Sequence, residues 1–346
     1  MTNNIIIRTP NHLGDCIMSL PMINQTGEAH PGASITVLTP ENLAGIYEQN
    51  QSIDNIVKIP SEHVHGLIAV MKIKDIISQG NYDLGYILPP SFGAAAGFKL
   101  AGIKNRIGYI ADGRRLLLTK ALPLPAPLNA EHRSNLYFNL LLRSQEIKLD
   151  YINPKLFLND SDIKQGNNLL EKFFGEKDTS FCAIAFQAIA ESRRWGYDNY
   201  SELIKKIVST YNLKIVLVGS KEEQSLGDDL VKSTGGGDVI NLAGKTSIRE
   251  SASIISTAKF FVGNDSGAAH LAGAVGIPII VLSGADDPKS TSPVTANKKV
   301  IYLDDLECIS CVKNKCPLKG DDAMQCMKGI SVEMVLKAIS ELVPVL

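Results

Sequence analysis

The chain has 346 residues, of which 45% are hydrophobic and 21% charged, and its net charge is −1. This length is comfortable for two domains, and a net charge near zero argues against nucleic acid as the main partner. No apolar run approaches the ~20 residues that a membrane-spanning helix needs. The first residues, MTNNIIIRTP, lack the basic start of a signal peptide. We therefore expect a cytoplasmic protein that has no transmembrane segment and reaches any membrane-embedded substrate from the bilayer surface.

Strand and helix patterns alternate along the whole chain, which is typical of α/β proteins with parallel sheets. In the first half, strands are predicted at residues 4–9, 35–39, 53–60, 82–88 and 106–109, and helices at 15–29, 41–50, 66–79, 92–101 and 133–146. Residues 120–130 are predicted to form a loop, and residues 148–163 a connector. In the second half, strands are predicted at 182–186, 214–219, 239–242, 260–263 and 278–283, and helices at 199–211, up to 231, 248–257, 268–275 and 331–342. Two such series predict two Rossmann-like domains, 1–160 and 161–346, that face a cleft.

Polar residues that directly follow a strand are the candidates for function, because ligands of open parallel sheets bind beyond the carboxyl ends of the strands. After the first strand the chain reads RTPNHLGD, from Arg8 to Asp15. This segment lacks the G-x-G-x-x-G pattern of a dinucleotide site, which disfavours a dehydrogenase. Asp15 either places a favourable charge at a helix N-terminus or acts as a general base.

Three segments after strands of the second half suit a nucleoside diphosphate. The segment NDSGAAH at 264–270 enters a helix through small residues, so it offers an anion site or simply a helix cap. Arg193 and Arg194 suit phosphate oxygens, or they form a solvated surface pair. The adjacent Trp195 is interpreted as a packing anchor. In the segment GSKEE at 219–223, an acid can accept hydrogen bonds from ribose hydroxyls or favour a helix start.

Four cysteines cluster near the end of the chain with the spacing C-x2-C-x4-C-x9-C, at positions Cys308, Cys311, Cys316 and Cys326. In a reducing compartment, such clustering favours metal binding or free thiols over disulfides. Four thiolates can hold a structural Zn²⁺ tetrahedrally, although this is not the spacing of a standard zinc ribbon. Reduced thiols and simple packing are the alternatives.

Together, these motifs resemble the heptosyltransferases of lipopolysaccharide synthesis, glycosyltransferase family nine. The matching pieces are RTPNHLGDCIMSLPMI, YDLGYILPPSFGAAAGFKLAGIKNRIGY, NDSGAAHLAGAVGIPIIVLSGADDP and the tail CISCVKNKCPLKGDDAMQCMKGISVEMVLKAI. The resemblance covers nearly the whole chain in the right order. It implies the two-domain fold called GT-B, with an acceptor-binding first domain and a donor-binding second domain.

The resemblance also implies roles for individual residues. Asp15, the acid of the L-G-D piece, is implied as the base. A donor site is implied as well, in which the N-D-S-G-x-x-H segment contributes Asp265, Ser266, Gly267 and His270. Arg193, the basic residue two before the tryptophan, and Glu223, the acid four after the strand-end glycine, complete this site, with Arg194 beside it. Basic and polar residues of the first domain are candidates for binding the acceptor, namely Asn11, His12, Lys99 and Arg106. Lys104, Arg114 and Arg115 belong to the same basic set. The alternative is that this set is only a solvated face. The sequence departs from the family at Phe186-Gln187-Ala188, usually a Pro-Gly-Ala stretch, and at Arg193, usually Lys.

The function implied is inverting transfer of heptose from ADP-L-glycero-D-manno-heptose to the lipid A-linked inner core of lipopolysaccharide, at the inner face of the inner membrane. Fixed cations and a helix end would replace Mg²⁺, so no cofactor is expected for the chemistry. The alternatives are transfer of another nucleotide-activated sugar, a sugar-nucleotide epimerase, and a non-catalytic nucleotide-sugar-binding protein.

Overall fold

The computed structural model describes residues 3–64, 66–127, 130–177 and 179–344. It divides into two compact units, Met1–Phe157 and Leu158–Leu346. The predicted boundary, after residue 160, falls in the first turn of a helix of the second unit. None of the helices in the described ranges is long and apolar enough to cross a membrane.

The first unit is one parallel sheet with helices between its strands. Its strands are β1 (Asn4–Arg8), β2 (Ser34–Pro40), β3 (Asn55–Ile59), β4 (Leu84–Ile87), β5 (Asn105–Tyr109) and β6 (Lys120–Leu122). Its helices are α1 (Leu13–Ala29), α2 (Gly66–Ile77), α3 (Phe92–Leu100) and α4 (Arg133–Gln145), with 3₁₀ turns at Glu41–Ile46, Ser61–His63 and Arg114–Leu117. The strand order is β3-β2-β1-β4-β5-β6. Residues 5–7 of β1 are fully buried, as expected for a central strand covered on both faces.

The second unit repeats this architecture. Its strands are β7 (Phe181–Ala185), β8 (Lys214–Leu217), β9 (Val239–Asn241), β10 (Phe261–Asn264), β11 (Ile279–Leu282) and β12 (Lys298–Ile301). Its helices are α5 (Asp160–Phe174), α6 (Tyr197–Tyr211), α7 (Gln224–Ser233), α8 (Ile248–Ser256), α9 (Gly267–Val275), α10 (Pro288–Thr291), α11 (Gln325–Lys328) and α12 (Val332–Leu342), with 3₁₀ turns at Glu191–Arg193, Lys221–Glu223 and Gly320–Asp322. The order β12-β11-β10-β7-β8-β9 is the same topology read from the other edge.

Both sheets have the strand order of the Rossmann fold, which confirms the predicted α/β class. In this order the chain changes direction across the sheet between β1 and β4, and again between β7 and β10. These two switch points are where open sheets of this kind bind their ligands. The segments that the sequence analysis singled out after β1, β7 and β10 therefore lie at the switch points.

Several elements differ from the prediction. Strand β6 lies in the stretch predicted as a loop, and neither β12 nor α5 was predicted. The helix predicted at residues 41–50 is only the 3₁₀ turn Glu41–Ile46. Lysines at the first two positions of β12, and a glycine and two asparagines within α5, weaken the local signals for strand and helix.

Candidate active site

Asp15 lies in the first turn of α1, directly beyond the carboxyl end of β1. Its Oδ1 accepts hydrogen bonds from the hydroxyl of Tyr137, at 3.2 Å, and from Nη1 of Arg133, at 3.4 Å. The Asp15 side chain is 19% exposed. Burial, and then the negative charge of Asp15, raises the pKa of Tyr137 well above its usual value, so the phenol stays a neutral donor. The carboxylate is thus held on one oxygen while part of the group still reaches solvent.

The loop before Asp15 is fixed by Arg8, which is buried at the end of β1. Its guanidinium donates to the carbonyl of Thr9 and to the side-chain oxygen of Asn11, both at 2.5 Å. Burial lowers the pKa of Arg8 to about 10, so it remains charged at neutral pH. His12 is exposed and precedes α1 as its N-cap, with no side-chain capping bond. Asn11 is therefore oriented from within the sheet, and His12 lies beside it at the surface.

The basic set of the first unit divides into exposed and structural members. Lys99, at the end of α3, is exposed. Arg106 instead donates from Nε to the carbonyl of Leu117, at 2.6 Å, and from Nη1 to the carbonyl of Ile103. Arg114 is fully buried and donates to backbone carbonyls of the sheet. Arg106 and Arg114 tie the segments after β4 and β5 together, which a count of basic residues cannot reveal.

In the second unit, the end of β10 brings Asp265 and Ser266 to the start of α9. Gly267 begins α9, and His270 lies in its first turn, where it is buried. The first N–H groups of a helix lack the carbonyl partners of a preceding turn, so a helix N-terminus attracts anions, and this one follows the end of β10 at the switch point of the sheet. The structure therefore brings together the four residues predicted from the N-D-S-G-x-x-H segment.

Asp265 is 4% exposed, and its Oδ2 accepts a hydrogen bond from the Ser283 hydroxyl at 3.3 Å. Burial, followed by the neighbouring carboxylate of Asp286, raises the pKa of Asp265 to about 7. Lys298 lies nearby, and burial lowers its pKa. Asp265 thus belongs to a buried cluster of charges beneath the helix N-terminus.

Arg193 is paired with Asp286, a residue that the sequence analysis did not single out. Its Nε lies 2.5 Å from Oδ2 of Asp286, and its Nη2 donates to Oδ1 at 2.8 Å. The hydrogen bond from Nη2 and the close ion pair hold the guanidinium against Asp286. Asp286 is almost completely buried, whereas 32% of the Arg193 side chain is exposed. The arginine therefore has a rigid buried partner on one side and access to an external anion on the other.

Arg194 and Glu223 lie in the segments that follow β7 and β8, which are neighbours in the sheet. Arg194 donates from Nε to the carbonyl of Ala188 at 2.8 Å and so shapes the loop after β7. Glu223 accepts a hydrogen bond from the N–H of Ser220 at 3.1 Å, and burial raises its pKa above the usual value despite the opposing effects of Ser220 and, last, Arg194. A Cβ at Gly219 would lie 2.1 Å from Oε2 of Glu223, so only glycine lets the acid approach this strand end.

Trp195 confirms the interpretation as a packing anchor. Its ring is buried, donates from Nε1 to the carbonyl of Ile330 at 2.7 Å, and packs edge-on against Tyr200. Its backbone N–H donates to the side chain of Asn264, at 3.1 Å. This bond joins the end of β10 to the loop after β7, so the tryptophan connects two of the predicted donor segments.

The four clustered cysteines border one small cavity, and burial, followed by the other three thiols, raises the pKa of Cys326. Nevertheless, among the residues that the structure describes, no three His, Cys, Asp or Glu side chains are arranged to hold a metal ion. The prediction of a structural Zn²⁺ at Cys308, Cys311, Cys316 and Cys326 therefore has no support in this structure.

The cysteine-rich segment instead makes hydrogen bonds to the loops after β7 and β11. The N–H of Ser192 donates to the carbonyl of Asn314 at 3.2 Å, and the Ser310 hydroxyl donates to the carbonyl of Asp286 at 3.2 Å. The N–H of Val312 donates to the carbonyl of Ala285 at 2.7 Å. The segment therefore supports the loops that carry Arg193 and its partner Asp286.

Three residues of these sites escaped the sequence analysis: Arg133, Tyr137 and Asp286. The first two are one helical turn apart on α4, a spacing that places them on one face, but their contact with Asp15 spans more than a hundred residues of sequence. Asp286 follows β11, and this position directly after a buried strand is the sequence feature that could have identified it as a candidate site residue.

Comparison with known proteins shows which proteins the chain is similar to. The model of glycosyltransferase family 9 (heptosyltransferase) matches residues 70–321. Lipooligosaccharide heptosyltransferase 2 of Haemophilus influenzae is 26% identical over 98% of this chain and 99% of its own. Two similar structures come from Escherichia coli. ADP-heptose lps heptosyltransferase II has a TM-score of 0.82, 22% identity, and coverage of 99% of this chain and 98% of its own. A heptosyltransferase solved with ADP-2-deoxy-2-fluoro heptose has a TM-score of 0.71, 16% identity, and coverage of 98% and 99%.

Proposed function

Because the chain belongs to glycosyltransferase family 9, we propose that this glycosyltransferase moves heptose from ADP-L-glycero-D-manno-heptose to the inner core of lipopolysaccharide. The names of its relatives support the sugar and the acceptor, and the E. coli structure with an ADP-heptose analogue supports the donor. One structural observation carries the proposal. A partly accessible acid lies at the switch point of the first sheet, and a partly exposed arginine and a helix N-terminus lie at that of the second.

We assign the role of general base to Asp15. Arg133 and Tyr137 both contact Oδ1, so we propose that Oδ2 takes the proton from the acceptor hydroxyl. The hydroxyl oxygen then bonds to the anomeric carbon as the bond from that carbon to the diphosphate breaks, with inversion. General-base assistance of this kind contributes ~10²–10⁴ in rate. Asn11 and His12, in the loop before Asp15, and the exposed Lys99 are the candidates for holding the acceptor.

The second unit is proposed to bind the donor. Arg193 and the N–H groups at Ser266 and Gly267 would meet the diphosphate, and Glu223 the ribose. The departing diphosphate gains negative charge, which a fixed guanidinium and a helix N-terminus stabilise without reorganisation. We therefore propose that transfer needs no metal ion, because Arg193, positioned by Asp286, supplies the charge that Mg²⁺ supplies elsewhere.

The acceptor proposed here is anchored in a membrane by its lipid. We accordingly propose that the protein works at the inner face of the inner membrane as a peripheral protein. This location follows from the proposed substrate.

The test is transfer from ADP-heptose to a heptose-accepting lipopolysaccharide core, with UDP-sugars as competing donors. We expect heptose transfer by the wild-type protein in the presence of EDTA. We also expect a loss of at least ~100-fold in kcat for Asp15→Asn, with ADP binding unchanged. Transfer that is unaffected by Asp15→Asn would overturn the assignment of the base. Transfer from another nucleotide sugar only would overturn the proposed donor.

A further inference from the structure

The first unit exposes an unusual set of large apolar side chains on one short part of the chain. Five are at least 49% exposed, and they lie on α2, on α3 and on the 3₁₀ turn Arg114–Leu117. They are Ile68, Met71, Phe92, Leu100 and Leu116. We call this set, with the basic residues around it, the α2–α3 surface. The proposed reaction uses none of the five apolar residues.

The packing of these elements places the five side chains outward. Helices α2 and α3 lie against each other, since a Cβ at Gly97 would be 2.7 Å from Cγ2 of Ile73. Ile73 and Phe98 face the core between the helices and the sheet. Ile68 and Met71 are three residues apart on α2, which places them together on its opposite, exposed face.

The 3₁₀ turn is fixed beside the start of α3. The Asp112 carboxylate, just before the turn, accepts a hydrogen bond from the N–H of Phe92 at 2.8 Å. Within the turn, Leu117 packs against the core while its neighbour Leu116 is 87% exposed. The exposed leucine is therefore displayed by a well-anchored turn.

Positive charge surrounds these apolar residues. Residues 66–116 contain seven Lys and Arg against three Asp and Glu, in a chain whose net charge is −1. Two of the seven, Arg106 and Arg114, are turned to backbone carbonyls. The exposed or half-exposed remainder is Lys72, Lys74, Lys99, Lys104 and Arg115. The acids on the surface are partly engaged: Asp75 pairs with Lys74 at 3.1 Å, and Asp112 holds Phe92.

We propose that the α2–α3 surface binds an anionic phospholipid bilayer, with its apolar side chains below the headgroups and its lysines and arginines at the lipid phosphates. Interspersed apolar and basic residues are typical of interfacial membrane binding. A protein partner fits less well, because lysine is depleted from the cores of protein interfaces. This surface would hold the protein at the membrane location proposed above. The proposal rests on the proposed function only for the presence of a lipid-linked acceptor.

The first experiment is co-sedimentation of the full chain with phosphatidylethanolamine vesicles that contain about one-third phosphatidylglycerol. The variant Leu100→Ser/Leu116→Ser removes side chains that are 57% and 87% exposed. The matched control, Phe173→Ser/Ile189→Ser, removes side chains that are 40% and 90% exposed on the second unit. We expect the first variant to lower the partition coefficient at least ~10-fold, and the control to leave it within ~2-fold.

A charge variant tests the other half of the proposal. Lys72→Glu/Lys104→Glu/Arg115→Glu should abolish the preference for phosphatidylglycerol vesicles over phosphatidylcholine vesicles and should remove most of the salt dependence of binding. Equal binding by wild type and both surface variants would overturn the proposal. So would a wild-type dimer in solution that dissociates in Leu100→Ser/Leu116→Ser, because the surface would then be a contact between copies of the chain.

Transfer assays separate this proposal from the proposed function. We expect Leu100→Ser/Leu116→Ser to keep wild-type kcat on a deacylated, water-soluble acceptor and to lose activity on the same core embedded in vesicles. Equal loss on both acceptors would contradict membrane binding as the role of these residues. Wild-type vesicle binding without transfer to either acceptor would refute the proposed function and leave the surface intact.

Discussion

Asp15 and Asp265 both lie where the chain passes from a strand into a helix, Asp15 in the first turn of α1 and Asp265 just before α9, but the structure gives them opposite surroundings. Asp15 is half-buried and meets two donors from α4, a tyrosine and an arginine. Asp265 is buried beside a second carboxylate, Asp286, which together with burial raises its pKa to about 7. The same local pattern therefore yields one accessible carboxylate and one internal member of a charge cluster. Only the tertiary neighbours decide which of the two can meet a substrate.

We predict that the charge cluster around Asp265 affects nucleotide binding through Arg193. We expect Arg193→Gln to weaken ADP binding ~10–100-fold, because it removes the positive charge that Asp286 positions at the proposed phosphate site. Isothermal titration with ADP measures the effect. Arg194→Gln is the matched control and should cost only a few-fold, because the Nε of Arg194 is already bonded to Ala188. Equal losses of ADP affinity in the two variants would show that the cluster gives Arg193 no special role in nucleotide binding.

A smaller effect is expected in the pH dependence of stability. The folded-state pKa of Asp265, about 7, lies above the ~3.9 of an unfolded aspartate, so folding favours its protonated form. That stabilisation is complete below pH ~4 and is lost as the pH rises through about 7. Asp265→Asn cannot titrate, so its free energy of unfolding relative to wild type should increase by about 2–3 kcal/mol between pH 5 and pH 8.

Urea denaturation of both proteins at the two pH values measures this difference. Asp229→Asn, at an exposed aspartate of α7, is the control and should follow the wild type. A constant difference between Asp265→Asn and wild type at both pH values would contradict the buried, proton-binding state of Asp265.

The smallest effect concerns the donors to Asp15. Tyr137→Phe removes one neutral hydrogen bond to Oδ1, so we expect kcat to fall ~3–10-fold with ADP affinity unchanged. Tyr151→Phe is a close control, since it removes a hydroxyl that contacts Ser134 on the same helix. Steady-state kinetics at saturating donor compares the two. A loss as large in Tyr151→Phe would indicate that α4 is merely destabilised.

The sequence could predict the features that depend on local order. Buried strands with polar residues at their ends place Asp15, Arg193 and Asp265 at the switch points, since parallel sheets of this topology bring such ends together. Their proposed roles came from resemblance to a family and remain predictions.

Features that depend on long-range contacts could not be predicted. The sequence suggested Arg106 as a candidate for binding the acceptor, but its guanidinium donates hydrogen bonds to backbone carbonyls. Tyr137 and Asp286 acquire their importance from partners on other elements. The cysteine spacing suggested a metal site, but spacing alone does not set the directions of the thiols.

Trp195 gives the molecule an internal spectroscopic reporter. It is the sole tryptophan in the chain, so all indole fluorescence comes from one buried ring. Trp195 directly follows Arg193 and Arg194 in the sequence. Its backbone N–H donates a hydrogen bond to the side chain of Asn264, the neighbour of Asp265. Occupation of the proposed donor site should therefore change the intensity or wavelength of emission in the unlabelled protein, which would allow rapid-mixing measurements of how fast a nucleotide arrives and leaves.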